Sequence, residues 1–537
     1  MGELIHAGRR QPLIPGRTLF EQAEELATVV PASCRFSGRC RECVVAVTRG
    51  GEALSPPTGP EAFLRPPYRL ACQARVEHAN AEVEIAVLRR RLQIVASSAG
   101  RADELEPLVT REGDAVRHAG QRIDGYRGGI FGVALDLGTT TVVFELVDLE
   151  SGDAVETVAL ENPQRFGGSD VISRIAYDGG PYRGELRHAV RRALNHELKR
   201  IYRERGIPRQ AVYEVAVVGN ATMRDLFFGL DVQSIGLRPF RSLTEHEYRS
   251  GTRPTTAITA LAHELGILVN PQARVFGGPL IGCHVGADVA ADLLAVDFEA
   301  LEGPVMLVDV GTNSEVVVGH EGRYVAASSP AGPAFEGGLI SHGMQAAEGA
   351  IQAVWSNDGT IAWQTIGDLE PEGICGSGLV DALAVTRRLG WMDADGRFTG
   401  SVRELPIAPE HGIVLTRSDT SQLAQAKAAN ASGQALVLER LGLAPGDLRG
   451  IFLAGGFAQY LDVGNAIEIG FMIPAPVDRV HKVGNASLRG ARAMLLSGRQ
   501  RATLDQFVQR IEHIELEEMP GFFDRFVDGC RFTPIVV

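Results

Sequence analysis

Asp136-Leu137-Gly138-Thr139-Thr140-Thr141 and Asp309-Val310-Gly311-Thr312-Asn313-Ser314 are two copies of one short pattern, and each closes an apolar run. The first run is Phe131-Gly132-Val133-Ala134-Leu135 and the second is Val305-Met306-Leu307-Val308. β-rich sequence follows both, Val142-Val143-Phe144 and Val316-Val317-Val318, so each copy reads as a hairpin. Glycine has no Cβ, so the backbone N–H groups of Gly138 and Gly311 can approach phosphate oxygens closely. Thr139, Thr140, Thr141, Thr312 and Asn313 add donors, while Asp136 and Asp309 suit a hydrated Mg2+. Two such hairpins facing across a cleft would grip a triphosphate from both sides. Ordinary turns rich in Asp and Gly are the alternative for either copy alone; the matched pair favours the clamp. The chain has no GxxxxGK[ST] segment, so a P-loop is not the phosphate site.

A third element fits the same clamp. Arg449-Gly450-Ile451-Phe452-Leu453 runs into Ala454-Gly455-Gly456-Phe457-Ala458, a strand whose glycine pair lets adenine and ribose lie against the main chain. The three elements together resemble the actin, sugar kinase and Hsp70 superfamily. The resemblance implies an α/β, ribonuclease H-like duplicated ATPase domain with lobes over residues 129–300 and 301–537. It also implies phosphate contacts at 136–141 and 309–314 and an adenosine site at Gly455, Gly456 and Phe457. Gly376 and Gly378 lack the third glycine of a dinucleotide fingerprint, since Asp381 stands there, and read instead as a helix N-terminus beside the nucleotide. Glu315 is a candidate for orienting the attacking water, with a plain strand-end carboxylate as the alternative.

A different chemistry occupies the N-terminal region. Four of the seven cysteines, Cys34, Cys40, Cys43 and Cys72, follow the order C-x5-C-x2-C…C. A plant-type [2Fe-2S] ferredoxin uses C-x4-C-x2-C…C, so the loop is a one-residue variant, similar to adrenodoxin-like ferredoxins. Thr18-Leu19-Phe20-Glu21 reads as a capping box opening a short helix, and Val83-x-Ile85-x-Val87 alternates as a strand does. These features suggest a β-grasp ferredoxin domain over residues 1–92. Zinc is the rival reading, although structural zinc sites usually present two C-x2-4-C knuckles and only Cys40 and Cys43 form one. A disulfide framework fits poorly with an odd cysteine count in a chain this long. Arg35, Phe36 and Arg39 are bulkier than the residues usual in such a loop. Cys283, beside His284, and Cys375 read as buried, inert thiols.

Composition bounds the remainder. A length of 537 residues suggests roughly three to four domains, and 45% hydrophobic residues can fill several cores. A net charge of −13 argues against nucleic acid as a partner. The arginine-rich stretch 183–205 carries an apolar stripe of Leu186, Val190, Leu194, Leu198 and Ile201, so its arginines read as a solvated helix face. No apolar run of 18 residues argues for a membrane span, and the cytoplasm is the default location. Residues 93–128, polar and with little periodicity, read as a flexible linker.

A ferredoxin joined to an ATP clamp resembles the reductive activators of corrinoid proteins. Asn162-Pro163-Gln164-x-x-Gly167-x-x-Asp170-Val171-Ile172-x-Arg174 is similar to that family, as are Val218-Gly219-Asn220-Ala221-Thr222, Ser329-Pro330-Ala331-Gly332-Pro333-Ala334-Phe335-Glu336, Gly373-Ile374-Cys375-Gly376-Ser377-Gly378 and Gly484-Asn485-Ala486. The resemblance implies a [2Fe-2S] cluster on Cys34, Cys40, Cys43 and Cys72, ATP with Mg2+, a corrinoid protein of a methyltransferase system as partner, and an upstream electron donor. A homodimer is compatible with it. The implied activity returns Co(II) to Co(I). A plant-type centre near about −400 mV is a weak reductant for that task. A closed state favoured by about 5.5 kcal/mol inverts a 1:99 population, which at about 59 mV per tenfold is roughly 240 mV of uphill transfer. The alternatives are an activator of another low-potential enzyme, such as a 2-hydroxyacyl-CoA dehydratase, and a small-molecule kinase with a fused redox domain.

Overall fold

The computed structural model describes residues 2–6, 8–26, 28, 30–88, 105–400, 402–456 and 458–537. Phe457 and the first part of the expected linker, including Ser97 and Gly100, lie outside the described residues.

The N-terminal sheet contains β1 (Glu3–His6), β2 (Arg9–Pro12), β3 (Val44–Arg49), β4 (Tyr68–Leu70) and β5 (Val83–Val87) in the order β2-β1-β5-β3-β4. β1 and β5 are parallel and every other pairing in it is antiparallel, which is the β-grasp arrangement. β5 buries Val83, Ile85 and Val87 on one face and exposes Glu84 and Ala86 on the other, the period of a half-buried strand. The helix Leu19–Glu25 crosses the sheet, opened by the capping box between Thr18 and Glu21. Leu19, Phe20 and Ala23 are its buried apolar residues.

The expected linker is partly corrected. Within it run β6 (Val109–Glu112), β7 (Ala115–His118) and β8 (Gln121–Gly125), an antiparallel three-stranded meander. The turns use left-handed backbone at Gly113 and at Ala119-Gly120. Val109 and Val116 are fully buried, and Asn270 Nδ2 donates to Asp124 Oδ2 at 2.8 Å, so the meander is seated on the lobe that follows.

The first lobe carries β9 (Phe131–Leu137), β10 (Thr141–Asp148), β11 (Ala154–Glu161), β12 (Val212–Val218), β13 (Ile258–Leu261) and β14 (Arg274–Gly277), ordered β11-β10-β9-β12-β14-β13. After β15 (Val305–Val310), β16 (Ser314–His320) and β17 (Arg323–Ser329) come two small sheets. One orders β18 (Ala350–Asn357), β19 (Thr360–Thr365) and β20 (Gly373–Ile374) as β19-β18-β20, and the other pairs β21 (Leu405–Ala408) with β22 (Ile413–Leu415). With β23 (Gly450–Ala454), β24 (Val480–Gly484) and β25 (Ile511–His513) the second large sheet reads β24-β23-β15-β16-β17-β25. Both lobes therefore build an antiparallel meander, β9-β10-β11 or β15-β16-β17, and add parallel strands beside its first member, β12 and β14 or β23 and β24. This is the duplicated, two-lobed ATPase fold expected from the repeated hairpin.

The lobes are not simple halves of the sequence. The helices Ala486–Leu496 and Gly498–Val508 follow β24 of the second lobe yet pack on the first. A Cβ on Gly490 would lie 2.0 Å from the Ala291 carbonyl oxygen, and Leu495 fills the space left by Gly132 on β9. The chain then returns to pair β25 with β17.

Candidate active site

Asp136 and Asp309 each lie one residue from the end of their strands, β9 and β15, so the two strand ends bring both carboxylates to one cleft between the lobes. The cleft encloses about 260 Å3. Gly138, Thr139, Thr140, Thr141, Gly311, Thr312, Asn313, Glu315, Gly376, Gly455 and Gly456 line it as well. The hairpins face each other: the Thr140 and Thr312 hydroxyl oxygens are 3.3 Å apart, and both donate to Glu336 Oε2, at 2.7 and 2.5 Å. Gly378 does not reach the cleft. It lies in the buried first turn of the helix Gly376–Arg388, where a Cβ would meet the Ile351 carbonyl oxygen at 2.2 Å, so its small size serves helix-to-strand packing.

Two asparagines brace the first hairpin in the same way. Asn220 caps the helix Ala221–Phe228 through Oδ1, and its free amide nitrogen donates to Thr139 Oγ1 at 3.0 Å. Asn485 caps the helix Ala486–Leu496 and donates to Asp136 Oδ2 at 2.9 Å. An N-cap oxygen satisfies a helix N–H, which leaves the amide free to hold a loop. Behind the loop, Asn162 Nδ2 donates to Gly138 O at 2.8 Å and the fully buried Arg174 donates to Thr139 O at 2.6 Å. Close backbone approach explains one glycine of the third element. Gly455 has φ of 108°, and a Cβ there would lie 2.3 Å from Val310 O.

Carboxylates crowd the base of the cleft. Burial pushes Asp136 up to about 7, eased by the Asn485 amide and reinforced by Asp288. Burial raises Asp288 to about 6. Asp309 rises to about 8 through burial and the charges of Asp288 and Asp136. Asp292, Glu315 and Glu336 are also driven up, chiefly by burial. Such a concentration of buried, mutually repelling acids is a site prepared for positive charge. Asp288 and Asp292, on the helix Ala287–Ala295, are the acids that motif reading missed; their i, i+4 spacing on one helix was the available signal.

The cysteine loop touches the first lobe at Glu185 and Arg192. Cys34, Cys40, Cys43 and Cys72 come together as hydrogen-bonded pairs, Cys34 with Cys40 and Cys43 with Cys72. Burial opposes ionisation of Cys34, but the Cys40 N–H and the Ser37 hydroxyl outweigh it and bring the thiol down to about 7. The Cys43 hydrogen bond lowers Cys72 to about 6, helped by Gln73. Arg35, Phe36 and Arg41 all take left-handed backbone in this loop, so bulky residues make turns that glycine makes more cheaply. Gln73 Nε2 donates to Phe36 O at 2.8 Å and the Phe36 ring sits 4.5 Å from Phe20, which hold the loop in that shape. Cys283 and Cys375 are buried, and burial raises both thiols.

Paired phosphate hairpins around one acidic cleft define an ATPase of the actin, sugar kinase and Hsp70 class, here carrying a ferredoxin domain. Residues 6–77 match the 2Fe-2S iron-sulfur cluster binding domain, 131–300 the RACo middle region, and 303–535 the C-terminal domain of RACo, the ASKHA domain. The chain is 32% identical over 429 residues to the corrinoid activation enzyme RamQ of Eubacterium limosum, covering 75% of this chain and 70% of that one. It is 25% identical over 413 residues to the Co(II) methylated amine-specific corrinoid protein reductase of Methanosarcina barkeri, covering 73% and 74%. In structure it is similar to a reductive activator for corrinoid, iron-sulfur protein, with a TM-score of 0.73, 27% identity and 99% of both chains covered. The chain belongs to this family of reductive activators of corrinoid proteins. Among the described residues, no helix is long and apolar enough to cross a membrane.

Proposed function

We propose that the protein is an ATP-dependent activator that returns the Co(II) of a corrinoid protein to Co(I), in support of cobalamin-dependent methyl transfer. The observation that carries this reading is the junction at Glu336, where hydroxyls from both phosphate hairpins meet one carboxylate while a four-cysteine loop is seated on the first lobe through Arg41 and Cys40. Cys34 and Cys40 would hold one iron of a [2Fe-2S] cluster and Cys43 and Cys72 the other, since the thiols pair two and two. When bound, that group supplies a one-electron store fed by an upstream donor.

Asp136 and Asp309, with Asp288 beside them, would hold Mg2+ largely through water. Mg2+ keeps several waters and takes few carboxylates, which suits this arrangement. Gly138, Thr139, Thr140, Thr141, Gly311, Thr312 and Asn313 supply donors to phosphate oxygens, and Gly376, Gly455 and Gly456 provide room for the nucleoside. Phosphoryl transfer depends chiefly on positioning and charge neutralisation, so these groups suffice for hydrolysis, with Glu315 orienting water. Closure of the lobes on nucleotide is the source of work.

The test is an anaerobic assay of reduced protein with ATP and a Co(II) corrinoid protein, following Co(I) absorbance. Co(I) should appear only with hydrolysable ATP. Phosphate transfer to an added small molecule, with no Co(I), would instead make the chain a kinase.

A further inference from the structure

The ferredoxin domain is seated on the first lobe in part by a helix that also holds the phosphate loop. The helix Val171–Asp178 carries Arg174, which donates to Thr139 O at 2.6 Å, and, one turn on, Tyr177, whose hydroxyl donates to Phe63 O of the ferredoxin domain at 2.6 Å. Both side chains are buried, and Phe166 packs edge-on against Phe63 and Tyr177 at 5.5 and 5.6 Å. The last residue of that helix, Asp178, accepts from Gly184 N at 2.9 Å at the head of the helix Glu185–Arg205. That second helix reaches the cysteine loop itself. Glu185 pairs with Arg41, and Arg192 donates to the Cys40 carbonyl oxygen. An unbroken set of buried or half-buried contacts thus runs from phosphate loop to cysteine loop.

We propose that the helix Val171–Asp178 is a coupling strap through which occupancy of the nucleotide cleft sets the seating of the ferredoxin domain, with Arg174 and Tyr177 as positioning residues. This rests on the activator reading above, and goes beyond it by naming how the nucleotide cleft addresses the redox domain. A phosphate drawn between Gly138 and Thr140 shifts carbonyl oxygens that Asn162 and Arg174 grip. The strap then moves as a rigid turn of helix, because Arg174 cannot release the loop without stranding a buried guanidinium. By linkage, whatever nucleotide does to the seating, the seating does to nucleotide.

The experiment uses the reconstituted full chain with its iron and sulfide measured, with and without Mg2+ and the non-hydrolysable analogue AMPPNP. Hydrogen exchange of the segment 61–65 and visible circular dichroism of the cluster are read in the same preparation. In the wild-type protein the analogue should change exchange in that segment by about twofold to about tenfold, the range of one net hydrogen bond, and should alter the dichroism. Tyr177→Phe keeps the ring and loses only the hydroxyl. It should bind AMPPNP within about twofold of wild type while losing the exchange response. Arg192→Met, a substitution of a half-buried residue at the far end, should lose the dichroism response and keep the exchange response. A wild-type protein that binds the analogue with neither response overturns the proposal, as does a Tyr177→Phe variant that responds fully. Absence of iron or of nucleotide binding would instead overturn the activator reading.

Discussion

Replacing Asp136 by Asn should make the nucleotide-free protein more stable in alkaline solution while destroying its hydrolysis. Asp136 is held at about 7 against an ordinary 3.8, because burial disfavours its ionised form. A group raised in this way binds its proton more tightly in the folded chain than in the unfolded one. Its favourable contribution is complete below pH 3.8 and is lost as pH climbs through about 7. The difference between those values, at about 1.36 kcal/mol per pH unit, is about 4 kcal/mol above neutrality and under about 1 kcal/mol at pH 4. Asn carries no charge to desolvate and can keep the Asn485 contact by turning its amide. Chemical unfolding of metal-free protein, followed by far-ultraviolet circular dichroism at pH 4, 6 and 8.5, reads the effect. The variant should match wild type at pH 4 and exceed it by a few kcal/mol at pH 8.5. Added Mg2+ should stabilise wild type at pH 8.5 far more than the variant, and ATP hydrolysis should fall by about a hundredfold or more, the usual scale for removing a charge-stabilising group. Equal stability at every pH, or undiminished hydrolysis, would refute the assignment of Asp136 as a buried acid reserved for the metal.

Serine at Cys34, Cys40, Cys43 and Cys72 should abolish bound iron and sulfide on elemental analysis yet leave ATP binding by calorimetry within about tenfold, since the two sites share no residue and meet only through the coupling helix. Glu336→Ala strands the Thr140 and Thr312 hydroxyls that now share its carboxylate. Two hydrogen bonds to a charged acceptor, at about 1.5 kcal/mol or more each, imply a loss of at least about a hundredfold in steady-state ATP hydrolysis. Gly455→Ala places a Cβ 2.3 Å from Val310 O in left-handed backbone, and should weaken nucleotide binding by at least about tenfold in a calorimetric titration.

Much of this chain is written in local spacing. The capping box at Thr18 needs only neighbouring residues to be understood and forms as its pattern implied, and the two Asp-x-Gly-Thr turns line one cleft. Residues whose role depends on packing were harder. Gly376 and Gly378 look alike in sequence, but a helix turns by a third of a circle per residue, so one faces the cleft and the other faces Ile351. Asp288 and Asp292 carry no motif and become site residues only because their helix is laid across the strand ends. The meander at 109–125 reads as linker in sequence because its strands are short, exposed on one face and rich in charge, with Val109 and Val116 as its buried valines. Arg192 reads in sequence as part of a solvated helix face, and only the seating of another domain gives it the Cys40 carbonyl to hold.

The triple crossing between lobes governs how the protein can open. The polypeptide passes from the first lobe to the second before β15, goes back in the helices Ala486–Leu496 and Gly498–Val508, and returns again at β25. Sliding or twisting of one lobe past the other would shear those passages at once, whereas a swing about a line through them bends each only slightly. Three tethers therefore favour a hinged swing over sliding, like a lid hung along one edge. Cutting the gene at the boundary near residue 300 would not release two working halves, because the piece that completes the first sheet's packing is encoded almost two hundred residues later.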